Sequence, residues 1–179
     1  TWAFITAMMR QICKQILTIV FVLAVAGIGP VRADPIVTKI VTDPLTGVAI
    51  DGFDPVSYFT EAKPQRGSPD YEYYWRGVPW YFVSAANRDV FKRAPEVYAP
   101  QHGGYCEMSL ARGYLSDGKP QIYAVEKMKL YLFYSAANRE AFLIATGEAI
   151  EQASANWETL AKGLTGAQPA VPLLSDANH

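Results

Sequence analysis

An eight-residue stretch that occurs twice is the feature that most limits the possible folds of this chain. Residues 84–91 read SAANRDVF and residues 135–142 read SAANREAF, an offset of 51 positions. Each copy follows two runs of aromatic and β-branched residues that are separated by a short polar turn, a pattern typical of a β-hairpin. The turns are expected at Arg76-Gly77 and near Lys127. The sequence therefore predicts one structural unit that is used twice.

The repeated stretch itself is predicted to begin a helix. Ser84 and Ser135 directly follow the second strand of each hairpin. A serine hydroxyl at a helix N-cap is worth about 1 kcal/mol relative to alanine. Phe91 and Phe142 then fall on the face of each helix that can close over its hairpin. The predicted fold class is α+β, with two β-hairpin-plus-helix units packed as one small domain.

The ends of these helices can also be predicted. The first helix is expected to stop near Ala94-Pro95, because proline cannot continue a helix. The second is expected to continue to Leu160, with a break at Gly147. The repeat is interpreted as two copies of one packing arrangement rather than as a binding device.

The first 33 residues have the three parts of a secretory signal peptide. Arg10 and Lys14 precede an apolar run at 16–28, and the segment ends on small residues at Ala33. The run is shorter than the ~20 residues that a membrane-spanning helix needs. We therefore expect a periplasmic protein. The alternative is an uncleaved leader that anchors the domain to the inner membrane.

The rest of the chain divides into one domain and a tail. Residues 34–165 are predicted to form the domain, and residues 166–179, rich in alanine and proline, a flexible tail. The leader carries three basic and no acidic residues, so its removal changes the formal net charge from −1 to −4. An acidic domain of this kind is not expected to bind nucleic acid.

The number and positions of the cysteines limit the kinds of site that the chain can form. Of the two cysteines, Cys13 lies in the leader, so cleavage leaves Cys106 as the single thiol. One thiol forms no internal disulfide and no four-cysteine zinc site. Burial, metal binding, redox chemistry and an intermolecular bond are the explanations open to an unpaired cysteine in an exported protein.

Several motifs together resemble the YHS-domain family. Residues 51–59 (DGFDPVSYF) look like the opening of that domain, and residues 80–98 like its strand–helix segment with the closing P-E-x-Y. Residues 98–106 (YAPQHGGYC) resemble the G-G-Y-C segment of the exported bacterial branch, and residues 155–157 are similar to its closing motif. The resemblance covers residues 48–157 and implies a YHS-like domain.

The resemblance also bears on metal and redox chemistry. The metal-associated branch of the family places cysteines where this chain has Ser57, Val83 and Asn87. Its metal role is therefore not carried over through those positions. In some relatives of the exported branch, the residue that matches Cys106 is selenocysteine. The resemblance thus implies chalcogen chemistry at Cys106, either redox or soft-metal ligation.

The residues around Cys106 predict a local structure without the family. Gly103-Gly104 permits a tight turn, and Cys106 then opens a short helical segment that Gly113 closes. A thiol at a helix N-terminus faces unpaired N–H groups, which favour its thiolate form, whereas Glu107 beside it opposes that form.

A metal site is one interpretation of this segment. Cys106, His102 and Met108 are soft-ligand types that suit copper, and copper(I) is the metal that we expect. Three alternatives stay open at this point. Cys106 can be a small buried hydrophobe, Met108 can belong to the core, and His102 can be a hydrogen-bonded loop histidine.

The predicted function is the binding or sensing of a soft metal through Cys106 by a periplasmic YHS-like domain. One alternative is a thiol redox protein, in which an external thiol resolves the oxidised Cys106. Another is a non-catalytic accessory subunit that docks on a membrane or periplasmic complex. Phosphate loops, nucleophile elbows, metalloprotease helices and dinucleotide fingerprints are missing from the sequence, so an enzyme is the less favoured class.

Overall fold

The computed structural model describes residues 39–164 of the chain. The predicted signal peptide (1–33) and the predicted tail (166–179) lie outside the described residues. Between residues 39 and 164, no helix is both long enough and apolar enough to cross a membrane.

The described chain alternates short helices with two hairpins, as the repeat predicts. The helices are α1 (Ser57–Thr60), α2 (Ala85–Arg93), α3 (Pro95–Tyr98), α4 (Glu107–Ala111), α5 (Ala136–Ile144) and α6 (Thr146–Leu160), and the strands are β1 (Ser68–Trp75), β2 (Val78–Phe82), β3 (Lys119–Glu126) and β4 (Lys129–Phe133).

The predicted α+β class is confirmed. Strands β1 and β2 form one two-stranded antiparallel sheet, and β3 and β4 form another. The hairpins turn where the sequence predicts, at Arg76-Gly77 and at Lys127-Met128. All four turn residues have positive φ, between 50° and 81°, which is the geometry of a tight two-residue hairpin turn.

Each helix after a hairpin begins and packs in the same way. The Ser84 and Ser135 hydroxyls accept hydrogen bonds from the backbone N–H of Asn87 and Asn138, as predicted for N-caps. The buried Phe91 ring lies 5.3 Å from Trp80 and 5.1 Å from Phe82. The second unit repeats these contacts: Phe142 lies 5.2 Å from Tyr131 and 5.0 Å from Phe133.

One of the two predicted helix ends agrees with the structure, and the other differs from it. Helix α2 ends at Arg93, close to the predicted stop, and Pro95 begins α3. The predicted break at Gly147 instead falls at Ala145, which leaves the helical region with φ −138° and ψ 51°. The Thr146 hydroxyl donates to the Phe142 carbonyl oxygen at 3.0 Å and ties the start of α6 to the end of α5.

The repeated unit is longer than the sequence pattern suggested. Each copy starts with a tight turn before the hairpin, at Ile50–Gly52 and at Gln101–Gly104. The same backbone hydrogen bond then occurs in both copies. Gly67 N–H donates to the Gly52 carbonyl at 2.9 Å, and Gly118 N–H donates to the Gly104 carbonyl at 3.0 Å. We call residues 50–93 the first unit and residues 101–144 the second unit.

The two units share part of their core. Leu130 and Leu132 of β4 are fully buried in the cluster that contains Trp80, Phe82 and Phe91 of the first unit. A parallel bridge also joins Leu132 to Cys106. The start of α4 is therefore held between the second hairpin and the interior of the domain.

Replacing Met128 with glycine is expected to stabilise the domain by about 0.5–1 kcal/mol. Met128 has φ 59° and is 64% exposed, so it carries left-handed strain and contributes little packing. The first hairpin already has Gly77 at the matching position, with φ 81°. Gly77→Ala should lower the free energy of unfolding by about 1 kcal/mol. Urea denaturation tests both variants, and a Met128→Gly protein less stable than the parent would contradict this account.

Candidate functional site

Cys106 is the N-cap residue of α4, as the sequence predicts. Its backbone N–H donates to the Ser116 carbonyl oxygen at 2.8 Å, which fixes the start of the helix against the approach to β3. The residue is 0% exposed and packs in a cluster with Tyr131, Phe133 and Phe142. The thiol therefore lies inside the second unit, beneath the hairpin and α5.

A polar chain leads from the sulfur toward solvent. The Asn138 side-chain amide donates to Cys106 Sγ at 3.3 Å. The Asn138 side-chain oxygen Oδ1 in turn accepts from an Arg112 guanidinium N–H at 3.1 Å. Asn138 is half-buried and Arg112 is exposed. A hydrogen bond of this kind stabilises a negatively charged acceptor, and the guanidinium fixes the amide so that its N–H points at the sulfur.

The first unit has a carboxylate at the position that Cys106 occupies in the second. Asp54 N–H donates to the Gln65 carbonyl at 2.8 Å, just as Cys106 N–H does to Ser116. Asp54 Oδ2 accepts from the Asn87 side chain at 2.7 Å, and Asn87 is the counterpart of Asn138 in the repeated stretch. The fold therefore uses equivalent asparagines to hold a carboxylate in one unit and a thiol in the other.

The donors around Asp54 form a complete anion-binding set. Oδ1 accepts from the Val56 N–H at 2.8 Å, and Oδ2 accepts from the Val83 N–H at 2.9 Å in addition to Asn87. The Ser57 hydroxyl donates to the Asp54 carbonyl oxygen at 2.6 Å. Ser57, Val83 and Asn87, where the sequence resemblance would place the cysteines of the metal-associated branch, thus all contact Asp54.

His102 is held by a buried carboxylate on α4. Its Nδ1 lies 2.8 Å from Glu107 Oε2, and its ring packs 5.6 Å from Trp157 of α6. Glu107 is 0% exposed, and its Oε1 has no hydrogen-bond partner among the described residues. Burial raises the pKa of Glu107, and the contact with His102 opposes that shift. The pair fixes the ring through one nitrogen.

The three predicted metal ligands are placed differently. Met108 is half-buried and packs against the same cluster as Cys106. His102 instead pairs with Glu107 and faces Trp157. Within residues 39–164, no group of three or more His, Cys, Asp and Glu side chains could hold a metal ion. The segment 102–108 is therefore organised around two separate contacts, the Cys106–Asn138 bond and the Glu107–His102 pair.

Two features of the site were missed by the sequence patterns. Asn138 and Arg112 were not singled out, although Asn138 stands in the repeated stretch. The equivalence of Asp54 and Cys106 was also missed. A signal for it exists: both residues follow a glycine and an aromatic residue, and both precede a serine three positions later.

Comparisons of the chain with protein-family models, with curated proteins and with solved structures found no match. The resemblance to the YHS-domain family thus rests on the motifs within residues 48–157. The reactions or ligands that the site can support are therefore inferred from the contacts of Cys106, His102 and their neighbours.

Replacing Glu107 with glutamine should change how stability depends on pH. A carboxyl whose pKa is raised in the folded state binds its proton more tightly there than in the unfolded chain. The free energy of unfolding then falls as pH rises from the usual value of 4.5 through the raised one, and levels off above it. Glu107→Gln removes this fall, so the free energy of unfolding of the variant rises relative to that of the parent as pH rises.

Urea denaturation at pH 4, 5, 6 and 7 measures this difference. Glu158→Gln, which alters an exposed carboxylate on α6, is the matched control and should leave the parent's pH dependence unchanged. A parent-to-variant difference for Glu107→Gln that stays constant over this pH range would contradict the burial account.

Proposed function

We propose that this chain is an exported, periplasmic domain of the YHS kind whose functional group is Cys106, and that Cys106 reacts with hydroperoxides. In this proposal the domain senses an oxidant and is not a hydrolase. The observation that carries the proposal is the equivalence of Cys106 with Asp54, a carboxylate that is held by three N–H donors.

The product of the reaction fits that equivalence. A cysteine sulfinate has two oxygens and one negative charge, as an aspartate carboxylate has. Asn138 matches Asn87, and the backbone N–H groups of Met108 and Tyr134 stand at the positions that correspond to Val56 and Val83. The second unit therefore offers a sulfinate the donor types that the first unit offers Asp54.

The chemistry proceeds in two balanced steps. The thiolate sulfur attacks one peroxide oxygen, the O–O bond breaks, and the departing oxygen takes a proton to leave as water or an alcohol. The sulfur loses two electrons and becomes a sulfenate, and the peroxide gains them. A second hydroperoxide repeats the step and gives the sulfinate. Because Cys106 is buried, the oxidant reaches it when the Arg112–Asn138 pair moves aside.

The proposal predicts that Cys106→Asp mimics the oxidised protein. The new carboxylate should accept bonds from the donors of the second unit, so Cys106→Asp should unfold at a higher urea concentration than Cys106→Ser. Intact-mass measurement of the parent after hydrogen peroxide should show a gain of two oxygens that is missing in Cys106→Ser. Asn138→Ala removes one of those donors, so it should reduce the stability advantage of Cys106→Asp over Cys106→Ser.

Two results would contradict the redox proposal. One is a parent protein that gains no oxygen at Cys106 under peroxide. The other is a Cys106→Asp variant that is much less stable than Cys106→Ser, since the donors would then not be arranged for an anion.

Copper(I) binding is the second candidate function. Met108 packs with Cys106, and Glu107 holds one nitrogen of His102 in the way that carboxylates orient metal-binding histidines. These residues fit a soft metal by ligand type, with Cys106 as the principal ligand. Native mass spectrometry of protein purified without chelators tests this candidate. A mass increase from bound copper that is lost in Cys106→Ser would support copper binding. A parent protein that does not bind added copper(I) would exclude it.

A further inference from the structure

The Cys106 sulfur and the Asn138 side chain lie close enough to react with each other. Asn138 Nδ2 is 3.3 Å from Cys106 Sγ, within the separation of about 3–3.5 Å at which two positioned groups react. Arg112 decides which end of the amide faces the sulfur, because a guanidinium only donates hydrogen bonds and its N–H is 3.1 Å from Oδ1. The amide nitrogen is therefore the atom that is presented to the sulfur.

Oxidation of Cys106 creates the electrophile that this nitrogen needs. A cysteine sulfenic acid condenses with a second thiol to a disulfide or with a backbone amide nitrogen to a sulfenamide. The asparagine side chain carries the same functional group as the backbone amide. Cys106 is the single cysteine of residues 39–164 and is 0% exposed, so a thiol of another molecule has to reach a buried sulfur. The Asn138 amide is already in contact with it.

We propose that oxidised Cys106 is captured by Asn138 through an S–N bond, which makes this pair a reversible redox-modification site. The inference rests on the proposed reaction of Cys106 with hydroperoxides and adds the step that follows the first oxidation. Asn138 Nδ2 attacks the sulfur of the sulfenic acid, and the S–O bond breaks. The departing hydroxyl takes a proton from Nδ2 and leaves as water. Sulfur keeps its oxidation state in this step, since its two electrons have already passed to the hydroperoxide.

Arg112 is the positioning residue for this step. An amide nitrogen is a weak nucleophile, because its lone pair is delocalised onto the carbonyl oxygen, and it attacks more readily as it gives up a proton. The negative charge that then develops on Asn138 Oδ1 is stabilised by the Arg112 guanidinium. The same contact holds the amide in the orientation that directs Nδ2 at the sulfur.

The first unit contains the same asparagine without the reaction. Asn87 Nδ2 lies 2.7 Å from Asp54 Oδ2, and a carboxylate offers the nitrogen no electrophilic sulfur. The Asn87–Asp54 contact is therefore expected to remain a hydrogen bond under oxidant. It serves as an internal control for the Asn138–Cys106 pair within one protein.

The peroxide concentration decides between the S–N bond and the sulfinate of the proposed function. Capture by Asn138 is intramolecular, so its rate does not depend on peroxide, whereas the second oxidation becomes faster as peroxide increases. Low peroxide therefore favours the S–N bond, and excess peroxide favours the sulfinate. A small thiol reopens the S–N bond by attack on sulfur, and a second thiol then restores Cys106. The sulfinate is not restored in this way.

Addition of one equivalent of hydrogen peroxide tests the proposal, with the full chain carrying Cys13→Ser so that Cys106 is the single thiol. Intact-mass measurement should show the loss of two hydrogens. Trypsin cleaves after lysine and arginine, so digestion without reductant should give a linked pair of peptides, residues 94–112 and residues 130–139. Dithiothreitol should separate the two peptides and restore the parent mass.

The variants separate capture from oxidation. Asn138→Ala should give no linked peptides and should instead accumulate a sulfenic acid that dimedone labels. Arg112→Gln should slow the disappearance of that sulfenic acid about tenfold or more, and Arg112→Lys, which keeps a donor, should restore most of the rate. Arg93→Gln alters another exposed arginine, at the end of α2, and should react as the parent does.

Two outcomes would overturn this inference while leaving the reaction with hydroperoxides in place. One is a parent protein that gains oxygen at every peroxide concentration and never loses two hydrogens. The other is a two-hydrogen loss whose link lies at a residue other than Asn138. A parent that is unchanged even by excess peroxide would contradict the proposed function as well. Because the linked peptides are measured in the parent, the result does not depend on the folding of Asn138→Ala.

Discussion

Replacing Asp54 with alanine is expected to destabilise the domain by about 3–5 kcal/mol. The carboxylate is 0% exposed and accepts hydrogen bonds from Val56 N–H, Val83 N–H and the Asn87 side chain. Alanine removes all of these bonds at once and leaves the donors without an acceptor, which costs more than the bonds themselves contribute. The free energy of unfolding from urea denaturation measures the loss.

The matched variant in the second unit is Cys106→Ala, which should cost much less, about 1–2 kcal/mol. It removes one hydrogen bond to sulfur and a small buried volume. Asp54→Asn is a further control, because it keeps an acceptor oxygen and should fall between the parent and Asp54→Ala. Equal losses for Asp54→Ala and Cys106→Ala would mean that the Asp54 donors are satisfied by water instead.

Replacing Gly118 with alanine is expected to destabilise the domain by about 3 kcal/mol or more. A Cβ at this position would lie 2.5 Å from the Gly104 carbonyl oxygen and 2.5 Å from Leu132 Cβ. The Gly118 N–H also donates to that carbonyl, so the two backbones cannot separate without losing the bond. Gly118 thus holds the turn before Cys106 against β4.

The same substitution in the first unit tests the repeat. A Cβ at Gly67 would lie 2.3 Å from the Tyr81 carbonyl carbon, so Gly67→Ala should cost a similar amount. Gly163→Ala is the control, since a methyl group there would have no described atom within 4 Å, and we expect a change within about 0.5 kcal/mol. Circular dichroism during thermal unfolding compares the three. A Gly118→Ala protein as stable as Gly163→Ala would contradict the close approach.

Local patterns were sufficient to predict the repeated architecture. The hairpins, the serine caps and the burial of Phe91 and Phe142 depend on neighbours within about ten positions, and these short-range preferences act in the same way in both copies. The break after α5 was misplaced by two positions. Glycine is a residue type that often interrupts a helix, which is why the break was predicted at Gly147. The chain instead leaves the helical conformation at Ala145, and the Thr146 hydroxyl then joins the two helices.

The site depended on contacts that no local pattern contains. Asn87 reaches Asp54 across 33 positions and Asn138 reaches Cys106 across 32, so their pairing exists only once the hairpins have folded over the turns. The predicted helix start at Cys106 was confirmed, but its burial was one of several open alternatives. His102 was predicted to be either a metal ligand or a hydrogen-bonded loop histidine, and the fold pairs it with Glu107.

The sequence by itself determined that the domain is α+β and built from two like units, because alternation, turn residues and helix caps act over a few neighbouring positions. Only the tertiary structure decided which residues face each other inside the units. It put a carboxylate and a thiol at equivalent positions, and it buried Glu107 behind His102. The Asn87–Asp54 and Asn138–Cys106 contacts join residues 33 and 32 positions apart, so their energies come from packing that a linear pattern does not contain.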